Sequence, residues 1–458
     1  MVPCLAVLTA VFLAGCASLS GPTLSERVGR VNELLGQGQN AVIDGPDYSR
    51  AAGYYERAAR NGSADGAYAL AALYRDGLLD DDPAVSAERA FFWMRDAAVG
   101  GSAQAQYELA MFLAEGKGAA PDYTGALSWL EKAGEGGNAV AHRFLGGLYT
   151  LGYCEENSLC VPVDVEKGAY WYMKGAMSGD PASMAAVGQM YLRGHGVEKD
   201  YVQAAKWTRL AADAGVTGAQ TTLGTLYYHA RGGPRSYKQA IDLYNQAREK
   251  GDAAASFNLG VLYFYAPRPY RNYAEALPLF READEAGVAD AATMLGLAYR
   301  EGRGVPRDYV KAVEWFRTGT RNGSAEAHAF LGEAFRDGRG VPQDATAAVE
   351  LFRAGSNLGD ARSQRLYAEM LVTGQGIAKS EEEALHWYLA AAAQGDAEAM
   401  YRAARMYETG IGTRGNMDAA LDLYQQAADY SPAEYSTLWP VNMASARSRA
   451  QAALVRLQ

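Results

Sequence analysis

Histidine and cysteine are scarce in this chain, five and four among 458 residues, and their placement excludes most of the chemistry they could carry. The histidines, at 142, 195, 229, 328 and 386, show no metal-ligand spacing. No nucleophile elbow, phosphate loop or zinc motif is present. An excess of basic charge is also missing. Lys and Arg number 43 against 53 Asp and Glu, a formal net charge of -10 that disfavours general nucleic-acid binding. Long apolar runs are lacking except at the start, where residues 1–15 carry no charged side chain and run apolar from Leu5 to Phe12. That stretch is too short for a membrane span and suits a signal segment. The expectation is a protein that is not an enzyme, with no catalytic residue, no metal and no cofactor.

What the chain has is a period. Tyr191, Tyr227, Tyr263, Tyr299, Phe335, Leu371 and Tyr407 are each 36 residues apart, and Tyr74, Leu113 and Tyr149 extend the series upstream at intervals of 39, 36 and 42. A period in this range implies a solenoid, in which no unit can bury its own apolar face and the stack offers an extended surface. The unit from Gly287 reads GVADAATMLGLAYREGRGVPRDYVKAVEWFRTGTRNG, two helices and two turns. In its first helix Ala291, Leu295 and Tyr299 fall on one face. Gly296, inside that helix, recurs as Gly at 146, 188, 224, 260 and 332 and as Ala at 71, 110, 368 and 404. Because Gly costs about 1 kcal/mol there relative to Ala, the position reads as a close helix crossing.

The turns are equally regular. Gly302 and Gly304 end the first helix, and Asp308 is placed to cap the second, as are Asp200, Ser236, Asn272, Asp344, Ser380 and Asn416 in their own units. Ser380 with Glu383, and Asn272 with Glu275, have capping-box spacing. The second helix carries Ala312, Trp315 and Phe316, matched by Ala384, Trp387 and Tyr388 and by Ala126 and Trp129, all expected in the core. His142 and His328 occupy equivalent helix positions and read as repeat surface.

The pattern AxxxLGxxYxxGxGVxxDYxKAxxWYxxAAxxG resembles the Sel1-like repeat, a relative of the tetratricopeptide repeat. Ten such units, preceded by a partial one with its second helix at 50–59, cover nearly all of residues 48–428. The resemblance implies an all-α, right-handed superhelical solenoid of stacked antiparallel helix pairs that acts as an adaptor between proteins. Residues 16–47 are expected to hold the N-terminus and a capping helix at 24–36, and 429–458 a linker and a capping helix at 442–457.

Leu13-Ala14-Gly15-Cys16 resembles a bacterial lipobox. It implies a signal peptide over 1–15 and acylation of Cys16, and Ala17-Ser18, with no aspartate beside the cysteine, resembles the outer-membrane sorting pattern. The expected location is the outer membrane, lipid-anchored and facing the periplasm. Cys4 leaves with the signal peptide, so Cys154 and Cys160 remain as an even pair, and in an oxidising periplasm the default is a disulfide. Lipobox plus full-length helical repeats resembles the AlgK-type exopolysaccharide-export scaffolds, which implies an outer-membrane porin and periplasmic enzymes as partners. A periplasmic regulator of a signalling system and a surface-displayed binder of host proteins are the alternative readings.

Departures from the repeat mark where specific binding could reside. Six extra residues between Tyr149 and Tyr191 carry both cysteines, and the turn YFYAPRPYRNY from Tyr263 loses both glycines to Pro267, Arg268 and Pro269, which requires a stiffer path. Lys199, Arg235, Arg271 and Arg307 are 36 residues apart, so stacking is expected to align them as a basic ladder on one edge. Arg231, Tyr265, Arg268 and Tyr270 lie beside it. Guanidinium groups suit carboxylates, and the edge is a candidate for acidic protein partners or an anionic polysaccharide. Tyr201, Tyr237, Tyr273 and Tyr309 fill the repeat's own tyrosine position and are expected to be packed.

Overall fold

The computed structural model describes residues 24–43, 47–79, 82–154, 160–429 and 444–457. They form two compact units, one ending at Asp200 and the other beginning at Tyr201. Each is a stack of antiparallel helix pairs in which every helix packs mainly on its chain neighbours. The first unit opens with Leu24–Ile43 and ends with Val165–Met177 and Pro181–Arg193. The second runs from Tyr201–Asp213 to Met417–Asp429 and closes with Ala444–Leu457. Within both, a helix of thirteen residues is the standard element, as in Ala103–Glu115 and Ala289–Glu301.

The close helix crossing has a specific cause. A Cβ added at Gly296 would stand 2.5 Å from the Phe316 ring, one at Gly332 2.5 Å from Phe352, and one at Gly260 2.7 Å from Phe280. Twenty residues on from each glycine, a ring of the second helix therefore lies flat against bare backbone of the first. Phe280, Phe316 and Phe352 are among the largest fully buried side chains. The glycine's local helix cost is offset by burial of an aromatic side chain, which contributes about 2–3 kcal/mol.

The turn follows from two glycines with different tasks. Gly302, at φ 71°, takes the left-handed conformation that ends the first helix, its N–H donating to the Ala298 carbonyl. Gly304 lets the turn approach the preceding repeat, where a Cβ would come within 2.7 Å of Tyr273 Cβ. A backbone bond then closes the turn: the Asp308 N–H donates to the Tyr299 carbonyl at 2.9 Å. The same bond joins Asp122 to Leu113, Asp164 to Tyr149, Asp200 to Tyr191, Ser236 to Tyr227, Asn272 to Tyr263, Asp344 to Phe335, Ser380 to Leu371 and Asn416 to Tyr407.

That bond corrects the capping-box expectation. The cap residue's N–H, which a capping-box glutamate would accept, is already donated to the carbonyl nine residues earlier. Asn272 accordingly caps only one way, accepting from Glu275 N–H at 3.3 Å. Ser380 makes no side-chain cap bond, and Glu383 instead accepts from the Tyr367 hydroxyl at 3.3 Å. Asp308, Asp344, Ser236 and Asn416 do cap their helices. The aromatic pair of the second helix also divides: Phe316 and Tyr388 are core, whereas Trp129, Trp315 and Trp387 are half-buried.

The proline-bearing turn does take another path. Ala266 ends its helix at φ −59°, ψ 152° rather than in the left-handed region, and Tyr270 N–H donates to the Pro267 carbonyl at 3.0 Å. Its closing bond, Asn272 to Tyr263 at 2.8 Å, is nevertheless kept.

Candidate interaction surface

The cysteine-bearing turn belongs to the first unit. Tyr153–Cys154 and Cys160–Val161 form a two-residue antiparallel ladder in which Cys154 opposes Cys160, and the two sulfurs are bonded. Cys16 lies outside the described residues. His142 is not surface: it is 3% exposed, stacks on Trp171 at 5.8 Å, and its Nε2 lies 2.7 Å from the Gly134 carbonyl. His328, its counterpart, is half-buried with Nδ1 2.9 Å from the Ser324 carbonyl. The helix position packs inward, where the planar ring stacks and its polar nitrogen finds a backbone carbonyl, so a polar residue there does not mark surface.

Of the basic ladder, Lys199 is exposed in the first unit, and Arg235, Arg271 and Arg307 are exposed in the second. The second unit does not present its three as one row of unengaged charges. Arg235 reaches the Tyr237 hydroxyl at 3.4 Å and lies over that ring, which in turn packs on Tyr270 and Tyr228, with centroids 5.1 and 5.9 Å apart. Arg231 lies over Tyr201 at 5.3 Å, and its buried Nε has no hydrogen-bond partner. Burial, and then the charges of Arg231 and Arg235, press His229 down to about 4, so it is neutral at pH 7. Burial pushes Tyr228 up to about 12. Arg271 folds back, its Nε donating to the Ala266 carbonyl, and Arg268 is exposed. Tyr265 is largely buried against Phe264 and Arg303, and burial raises its phenol strongly. Tyr201, Tyr237, Tyr273 and Tyr309 are half-buried.

Arg307 belongs to a second cluster that sequence reasoning missed. Glu333 accepts from Arg300 at 3.4 Å and from Arg362 at 2.7 Å, and both guanidiniums lie over the buried Phe330 ring, at 4.6 and 4.5 Å. Arg336 and Arg339 share Asp337, and Arg300 and Arg303 share Glu301. Arg362 also acts on Glu326, whose Oε2 is buried without a partner. Burial, then the nearby Asp360 and Asp290, push its carboxyl up to about 9, with Arg362 opposing, so Glu326 is protonated at neutral pH. The charge pattern that could have revealed this is the column Asp290, Glu326, Arg362 and Glu398, 36 residues apart. Among the described residues no group of His, Cys, Asp and Glu is arranged to hold a metal ion.

Both clusters stand on helices and turns of the repeats. The Sel1 repeat matches at eleven consecutive stretches, 27–63, 64–101, 103–138, 141–180, 181–216, 218–252, 253–287, 289–324, 325–360, 361–396 and 397–429. The chain belongs to the Sel1 repeat family. The first Sel1 stretch takes in the helix Leu24–Ile43 from residue 27 onward together with Tyr48–Arg60. Among solved structures, the chain is similar to c5321, a protective antigen present in uropathogenic Escherichia coli strains, which displays an SLR fold. Identity is 27%, the match covers 95% of this chain and 91% of that one, and the TM-score is 0.59. A Sel1 repeat protein from Oxalobacter formigenes is 24% identical over 72% of this chain and 91% of its own, with a TM-score of 0.47. Sel1 repeats make scaffolds for protein–protein interaction that are generally non-enzymatic, so this chain takes protein partners.

Proposed function

We propose that this Sel1 protein is a lipid-anchored envelope scaffold, acylated at Cys16, held at the outer membrane and facing the periplasm. The observation that carries the reading is Leu13-Ala14-Gly15-Cys16 standing directly before a chain built of repeats. A diacylated and amide-acylated cysteine supplies the stable anchoring that one acyl chain cannot. Among the described residues no helix is long and apolar enough to cross a membrane, and a lipid would supply that attachment instead. The repeats then gather protein partners of an envelope assembly, with an outer-membrane porin and periplasmic enzymes of exopolysaccharide export as the expected set. The Cys154–Cys160 pair closes the enlarged turn in an oxidising compartment.

Labelling with radioactive palmitate, followed by membrane fractionation, tests the anchor. The wild-type chain should carry label and sediment with outer membrane, and Cys16→Ser should lose both; label retained by the variant would sink the reading. Cross-linking in intact cells and identification of the captured proteins tests the assembly.

A second reading, display on the cell surface for binding host proteins, is favoured by one observation: the similar c5321 is described as a protective antigen. Antibody against the folded body, applied to intact cells, separates the two. Binding selects surface display, and its absence until the outer membrane is permeabilised selects the periplasm.

A further inference from the structure

The second cluster of the second unit forms an open cleft of about 700 Å³, lined by six arginines, Arg300, Arg303, Arg307, Arg336, Arg339 and Arg362. Only three carboxylates, Glu301, Glu333 and Asp337, line it with them. Each of the three bridges two guanidiniums: Glu333 holds Arg300 and Arg362, Asp337 holds Arg336 and Arg339, and Glu301 holds Arg300 and Arg303. Six positive against three negative charges leave the cleft at plus three in a chain whose formal charge is -10. Arg307 lies over the Tyr309 ring at 5.7 Å and pairs with no carboxylate among the described residues.

The guanidiniums are also held in place. Arg300 and Arg362 are fixed between Glu333 and the Phe330 ring, so a ligand meets them without first ordering long side chains. A small niche of about 30 Å³ opens beside them, with Ala312, Val313, Phe316, Phe330 and Ala334 as its apolar wall and Tyr309 and the ion-paired Arg300, Glu333, Asp337 and Arg339 around it. It has room for a group of about the size of a methyl, given that a single water needs roughly 10–15 Å³ on this measure.

We propose that this cleft binds an acidic peptide segment of a partner protein, its Asp or Glu carboxylates on the guanidiniums and one small apolar side chain in the niche. The proposal rests on the scaffold reading and names the chemistry of one of its docking sites. Guanidiniums pair with carboxylates bidentately, which a cluster of lysines would not do. An acidic polysaccharide also offers carboxylates, but it has no apolar side chain for the niche, and this favours the peptide.

The experiment is fluorescence anisotropy of the folded chain with a labelled peptide of alternating Glu and Ala or Val, and with the same peptide carrying Gln for Glu. The acidic peptide should bind, the Gln peptide should not, and affinity should fall as salt rises. Arg307→Glu with Arg339→Glu should weaken binding by about tenfold or more, since both are exposed and rim the cleft. Arg317→Glu with Arg321→Glu changes net charge equally on exposed positions of the helix Tyr309–Arg321 outside the cleft, and should leave affinity unchanged. Equal loss in both double variants, or no binding of the acidic peptide, overturns the proposal. So does equal displacement of the peptide by oligogalacturonate at matched carboxylate concentration. If Arg307→Glu/Arg339→Glu still captures in cells every partner the wild type captures, the cleft is excluded while the scaffold reading stands.

Discussion

The two units use the same repeat to present different surfaces. In the first, Phe92, Phe144, Tyr153 and Tyr170 are exposed aromatics, and Val99, Leu151, Val163 and Met177 are exposed aliphatic side chains. In the second, every exposed large hydrophobic among the described residues is aliphatic, and the polar surface of residues 289–409 carries arginine–carboxylate contacts between successive repeats, such as Arg362–Glu333 and Arg300–Glu333. The helix scaffold is common because it is specified by glycine, ring and turn. The exposed positions are not constrained by packing, so they differ in kind: exposed aromatic rings occur in the first unit and an arginine-lined cleft in the second, while ion pairs between successive repeats occur in both, as in Arg75–Glu108 and Lys167–Glu131 of the first.

The largest expected effect bears on the common scaffold. Gly332→Val should destabilise by about 3 kcal/mol, because its side chain would enter the Phe352 ring with no space to yield. Gly53→Ala in the first unit, with nothing within 4 Å of an added Cβ, should stabilise by about 0.5–1 kcal/mol. Thermal and urea unfolding of both variants decide this. Opposite outcomes keep the crossing glycine distinct from the merely helical one, and a well-tolerated Gly332→Val substitution would abolish the distinction.

The ionic side of the comparison is sharpened by Glu326→Gln. Glu326 is protonated in the fold up to about pH 9 but ionises near its ordinary value of 4.5 when unfolded. Between those values the folded state binds the extra proton, so the wild type loses stability as pH rises through this window. The glutamine variant lacks that slope. Its advantage should be near zero below pH 4.5 and grow steadily as pH rises through the window towards 9. Parallel stability–pH curves for the two proteins would remove Glu326 from the account.

A smaller contrast tests the turns. Asp122→Ala in the first unit should cost about 1 kcal/mol, since Asp122 accepts from Gly125 N–H at 2.8 Å, whereas Ser380→Ala in the second should cost only a few tenths. The smallest effect belongs to the bare aromatics. Phe92→Ser and Phe144→Ser, 54% and 50% exposed, should each move stability by under about 0.5 kcal/mol, while binding of an apolar fluorescent dye to the chain falls. Loss of fold in either would place that ring in the core.

Much of this molecule was legible from its period. The helix pairs, the glycine crossing, the two-glycine turn and most caps follow from residues that recur every 36 positions, because local geometry repeats with them. The arginine cleft did not follow. Arg300, Glu333 and Arg362 are separated by 33 and 29 residues, so their meeting depends on how far successive helices rotate about the stack, which no spacing states. Glu326 stands in the first turn of its helix, and no spacing in the sequence states that its Oε2 is buried. The capping boxes failed for another reason: a motif shows which groups could bond, not that one of them is already used.

The backbone bond closing each turn has a consequence for how the chain can be altered. In eight of its nine occurrences it spans nine residues; between Tyr149 and Asp164 it spans fifteen, at 2.8 Å, with the helices on both sides intact. Extra sequence has therefore been spliced in without changing where the interruption begins or where the helix resumes. The turns are sockets. A foreign segment placed between a tyrosine-position residue and the following cap residue should therefore be tolerated where the closing bond can still form, as it does between Tyr149 and Asp164.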